Sequence, residues 1–218
     1  MPLISFLLRI SNLETALLFV AVVAAIVLSS LFSKKRRQEG LARVAQEMGF
    51  TYSPEAIGME NLPLRGLPFF ARSNRVSNLL QGVVASGRIV LIDCRVVIGR
   101  TVYSQTVGCL QLAGKEFPSF ELRPESFWLK IGSPFGYQDI NFPENDSFSN
   151  NFQLGGENEA AVRGVFHSSV RSYFDQHRGW NVEGRGEWLA IYKEAEVVSP
   201  PKLRGFIEES QQIARVFS

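Results

Sequence analysis

A chain of 218 residues, 45% hydrophobic and 20% charged, is long enough for one well-packed core and too short for two. Its formal charge of +2 is unevenly spread: Arg9, Lys34, Lys35, Arg36 and Arg37 lie at the N-terminal end with a single acid, Glu14, and the other 18 cations and 20 anions leave the remainder near −2. With no basic stripe interleaved with aromatics, that balance argues against nucleic acid as a partner.

The first element is an uncharged run of 18 residues, Thr15–Phe32, TALLFVAVVAAIVLSSLF. As a helix it covers about 27 Å, close to the hydrocarbon thickness of a bilayer. A cleaved signal peptide needs a basic segment before the apolar run and small residues after it. Here Lys34-Lys35-Arg36-Arg37 follows the run directly, which is a stop-transfer pattern and predicts a retained transmembrane helix. The same four cations favour the cytoplasm, so the N-terminus is expected outside and the rest of the chain inside a cell membrane. They also suit anionic headgroups as a partner, at ~1 kcal/mol for each basic residue near the surface. The segment Pro2–Leu8 is apolar, and either lies in the outer interface or extends the helix.

Gln38–Met48 reads as a helix, with Leu41, Val44, Ala45 and Met48 at helical spacing and Gly49 as its C-terminal cap. Phe50–Tyr52 suits a short strand. Ser53–Asn78, rich in Pro, Gly, Asn and Ser, reads as an irregular packed segment with a short strand near Phe69. Leu79–Ser86, Arg88–Ile98 and Ser104–Ala113 form a predicted antiparallel meander. In its middle strand Val90, Ile92, Cys94, Val96 and Ile98 share one face, with Asp93 and Arg95 on the other. Ser119–Arg123 and Trp128–Ile131 continue as strands, with Asp139–Phe142 as a further candidate. Glu157–Phe166 reads as a helix, and Ser168 is placed as the N-cap of another that ends near Gly179. Trp180–Glu183 and Glu187–Glu196 read as a hairpin around Gly184-Arg185-Gly186. Ser199 caps a last helix whose inward stripe is Leu203, Phe206, Ile207, Ser210, Ile213, Ala214 and Phe217.

This order predicts an α+β fold: an N-terminal transmembrane helix followed by a mainly antiparallel β-sheet packed with helices. The expected divisions are a short N-terminal segment (1–14), the transmembrane helix (15–33), a basic juxtamembrane helix (34–49) and a cytosolic domain (50–218).

No phosphate loop, dinucleotide fingerprint, nucleophile elbow, zincin helix or EF-hand loop is present, so no catalytic, cofactor-binding or metal-ligating residue is assigned. Cys94 and Cys109 read as small buried hydrophobes rather than a redox pair, since no CxxC occurs. His167 and His177 have no ligand-like companions in sequence. Glu121 with Glu125, or Glu183 with Glu187, is the best carboxylate pair on offer for acid–base work. Arg123 and Asp139 are more readily an internal ion pair, among core residues Phe120, Leu122, Phe135 and Phe142.

Four segments carry a resemblance: Phe120–Glu125, Phe135–Phe142, Asn151–Gly156 and the Trp180–Tyr192 hairpin. With the N-terminal helix and basic flank, they resemble an uncharacterised family of bacterial single-pass membrane-anchored proteins. The resemblance implies an address and a fold and transfers no catalytic residue. Arg100–Tyr103 departs from it as a tighter loop. The expected function is a membrane-tethered interaction or regulatory module with an unknown protein partner. A binding domain for a lipid or apolar small molecule is the first alternative. A carboxylate enzyme around Glu121, Glu125 and Asp139 is the second.

Overall fold

The computed structural model describes residues 2–56, 64, 66–98, 100–125, 139–143 and 146–217. Residues 1–40 and 41–218 are two separate units.

Helix α1 (Pro2–Met48) is unbroken, so Pro2–Leu8 belongs to it. Within the first unit every residue from 14 to 36 is exposed, and the stretch is long and apolar enough to cross a membrane. In the second unit α1 stops where the sequence places its cap. Gly49 takes the left-handed φ of 67°, its N–H donates to the Gln46 carbonyl, and the Phe50 N–H donates to Ala45 at 2.8 Å. That pair of bonds is a Schellman cap, which needs a residue without a Cβ at the turn.

The second unit is built on one sheet, eight-stranded among the described residues. In chain order the strands are β1 (Thr51–Ser53), β2 (Ser73–Val84), β3 (Gly87–Ile98), β4 (Thr101–Gln111), β5 (Phe117–Pro124), β6 (Phe152–Gly156), β7 (Asn181–Gly186) and β8 (Trp188–Tyr192). They lie side by side as β1-β2-β3-β4-β8-β7-β5-β6, each neighbouring pair antiparallel. The helices are α2 (Pro68–Arg72), α3 (Asp146–Asn151), α4 (Glu159–Val165), α5 (Ser168–Gln176) and α6 (Leu203–Val216). This is the α+β class expected from the sequence.

Alternation along the strands sends side chains to two cores. On one face Leu189 and Ile191 join Leu91, Leu110, Phe120 and Leu122 beneath α4, α5 and α6. All seven residues of the predicted α6 stripe are buried, the large apolar ones at about 1.5–3 kcal/mol each. On the other face Val90, Ile92, Cys94, Val107, Cys109, Ala190 and Tyr192 pack under Leu64, Leu67 and Phe69. This second layer is where the structure departs from the sequence reading. The residues near Phe69 form helix α2, not a strand, because Pro68 fixes φ for a first helical turn and needs no N–H there.

Other departures are local. His167, with an extended backbone, is the N-cap of α5, and Ser168 is the first helical residue. The β7–β8 turn is Gly186-Glu187, so Gly184 and Arg185 are strand residues. Asp139–Phe142 forms no strand, although the Ile140 N–H donates to Leu154 at 2.7 Å beside β6. Helix α3 and strand β6 were not anticipated. Trp128–Ile131 and Phe135 lie outside the described residues.

Gly184 is required by packing. A Cβ there would lie 2.1 Å from Cε1 of Phe120, whose ring is wedged edge-on against Phe166 at 5.0 Å. Gly184→Ala is therefore expected to cost about 1–3 kcal/mol by overpacking. A urea titration showing an unchanged midpoint would contradict it.

Candidate functional site

The most charged part of the interior is on the α2 face, where β5 and β7 run side by side. Register sets Glu121 directly opposite Glu183, and the two-residue period puts Arg123 on the same face as Glu121. Helix α2 brings Arg72 in from above. Glu183 exposes none of its surface and Arg123 only 1%.

Glu183 is the hub. One carboxylate oxygen accepts the Phe69 N–H of α2 at 2.6 Å. The other accepts the Tyr192 hydroxyl of β8 at 2.7 Å and pairs with the Arg72 guanidinium. Arg72 also reaches Glu121 at 2.7 Å, and Arg123 pairs with that same Glu121 oxygen. Two carboxyl groups and two guanidiniums therefore face one another, the pairing that buried ionisable groups require.

Burial and the facing Glu183 carboxylate push the Glu121 carboxyl well above its ordinary range, with Arg72 pulling it down. Burial works to lower the Arg72 guanidinium, but Glu183, Tyr192 and Glu121 outweigh it and raise the pKa. The Tyr192 hydroxyl is likewise raised, by burial and then by Glu183. Chemically, the cluster is a sealed lock: it ties α2 to three strands, and its acceptors are engaged by the protein's own donors.

The structure regroups the sequence candidates. Glu121 and Glu183 come together from different strands, whereas Glu125 lies past the end of β5 and Glu187 is on the β7–β8 turn, bonded to Gln111 and the Gly114 N–H. Arg123 pairs with Glu121, while Asp139 accepts the Leu154 N–H at 3.1 Å. Burial raises the Asp139 carboxyl, against that bond. Sequence reasoning missed Arg72 and Tyr192. Neither stands in a motif, and only the folding of α2 over the sheet brings Arg72 to the carboxylates. His177 stacks on Tyr173 with centroids 4.1 Å apart, and His167 bonds Ser169.

Cys94 and Cys109 are free and buried. Burial pushes the Cys94 thiol up to about 12 and raises Cys109 well above its ordinary value. Since the thiolate is the nucleophile, neither is expected to react with a maleimide at neutral pH while the protein is folded. Mass spectrometry should count two adducts only in denaturant. An adduct on folded protein would contradict the packing.

No protein-family model matches the chain, and no curated protein matches it by sequence. A solved structure does resemble it: that of the mycobacterial trehalose monomycolate transport factor A, TtfA. The identity is 13% and the TM-score 0.58, over 84% of this chain and 92% of that one. At that identity the likeness establishes a shared fold and carries no activity from one protein to the other.

Proposed function

We propose that the chain is a single-pass membrane protein whose folded domain is a non-catalytic interaction module, held on the cytoplasmic side to serve a membrane-embedded partner. The observation that carries this reading is α1, whose residues 14–36 are exposed without interruption and are apolar over a bilayer's length. A helix of that composition is stable in water only if something apolar covers it, and a bilayer does so along its whole length. Lys34–Arg37 favours the inward orientation and rests on anionic headgroups.

The buried charges support a structural rather than catalytic role, because the Glu121 and Glu183 carboxyl groups are already engaged by Arg72, Arg123, the Phe69 N–H and the Tyr192 hydroxyl. The fold shared with a transport factor favours work beside a membrane transport system. In-cell photo-crosslinking of the full chain tests this. A discrete adduct with an integral membrane protein is expected, and crosslinks spread over abundant proteins would contradict it. A reporter fused after Ser218 is expected to be active only inside the cell, and neutralising Lys34–Arg37 should give mixed orientation.

One observation favours a second reading, binding of a lipid: the neighbour is named for the transport of trehalose monomycolate. Mass spectrometry of material extracted from the purified chain separates the two. A stoichiometric lipid would favour the second reading, and an empty protein would remove it.

A further inference from the structure

The β3–β4 hairpin outruns its neighbour. β8 pairs with β4 only from Val107 to Gln111, so Asp93–Ile98 and Thr101–Thr106 continue past it, with β2 beside β3 and the Glu196 and Val198 backbone bonded to Thr106 where β4 leaves β8. On this end Arg75 stands directly opposite Arg95, and Val97 directly opposite Val102. Direct cross-strand partners share a face. Both valines are solvent-exposed, at 44% and 48%, and Arg75, Arg95 and Arg100 of the turn are exposed as well. Among the described residues none of these three arginines is in an ion pair. Asp93, the acid on the same face, is taken by Asn78 at 2.7 Å and Thr106 at 2.8 Å.

Like charges set directly opposite are unfavourable in an isolated sheet, and an exposed valine pair at a hairpin end gains nothing from water. Both costs vanish against one kind of surface, negatively charged outside and apolar just beneath. We propose that this hairpin end docks on an anionic phospholipid bilayer, with Arg75, Arg95 and Arg100 meeting the headgroups and Val97 and Val102 entering the interfacial layer. This rests on the membrane-tether reading, because a tethered domain meets the bilayer at high effective concentration. Each arginine near an anionic surface is worth about fivefold in partitioning, and salt screens it.

The test uses the full chain in lipid nanodiscs, either of phosphatidylcholine or with about one-third phosphatidylglycerol. A Val102→Cys variant is labelled with an environment-sensitive NBD dye, the native thiols being buried. In anionic discs the dye is expected to shift to the blue, to brighten about several-fold, and to be quenched by doxyl-labelled lipid. The Arg75→Gln, Arg95→Gln, Arg100→Gln triple variant should return it to the phosphatidylcholine signal. Emission equal in both discs, or unmoved in the triple variant, overturns the docking alone. A chain that does not co-elute with the discs refutes the tether, and the docking with it.

Discussion

Glu183→Ala is expected to destabilise the domain by about 3–5 kcal/mol, the range for breaking a buried ion pair from one side. It removes the acceptor of the Phe69 N–H and of the Tyr192 hydroxyl, and leaves Arg72 short of a counter-ion in a site closed to water. Against a usual domain stability of ~5–15 kcal/mol, that loss is large. Helix α2 should loosen first, since the Phe69 N–H and Arg72 are two of its ties to the sheet. Chemical denaturation checks the magnitude, and a double variant checks the cause. Adding Arg72→Met removes the stranded cation and should recover part of the loss. If the two costs simply add, Glu183 is not acting through Arg72.

Arg123→Met should produce a second large effect, with a distinctive pH dependence. The Glu121 carboxyl is raised by burial and by Glu183, and removing Arg123 strips away a cation that favours its ionised form. A carboxyl whose folded pKa lies above its unfolded value binds protons more tightly in the folded state. Its contribution is then complete below the ordinary value of 4.5 and is lost as pH rises through the folded pKa. The native chain should lose stability gradually from about pH 4.5 upward, and Arg123→Met should go on losing it to higher pH, by about 1.4 kcal/mol in all for each further unit of pKa elevation. Melting temperatures across pH 4.5–8 measure this. A variant whose stability rises over that window would show that Glu121 is not the proton-binding group.

Much of the fold could be read from periodicity. The meander of β2, β3 and β4 shows as Val/Ile/Leu runs divided by glycine turns, and the α6 stripe shows at helical spacing. Gly49 marked the end of α1. Less legible were elements whose reason lies elsewhere in the chain. Helix α2 has five residues, too few for a period, and holds because Glu183 accepts its Phe69 N–H across 114 residues of sequence. Strand β6 is short and ends in Gly155-Gly156, a composition that reads as loop. There Gly156 is needed because a Cβ would lie 2.5 Å from the Ser119 carbonyl oxygen.

The charged cluster illustrates the same limit. Four-residue spacing at strand ends suggests Glu121 with Glu125 and Glu183 with Glu187. The actual pair, Glu121 with Glu183, forms because β7 is inserted between β5 and β8, and strand order is not a property of local sequence. Arg72 carried no signal at all.

The claim on which the functional reading stands is that α1 crosses a bilayer, and alkaline carbonate extraction of membranes holding the full chain tests it most directly. Eighteen uncharged residues in hydrocarbon resist both high salt and carbonate, whereas attachment through Lys34–Arg37 alone is electrostatic and screened. The chain is expected to remain in the membrane pellet through both washes and to leave it only in detergent. Release into the supernatant by either wash would contradict the spanning helix.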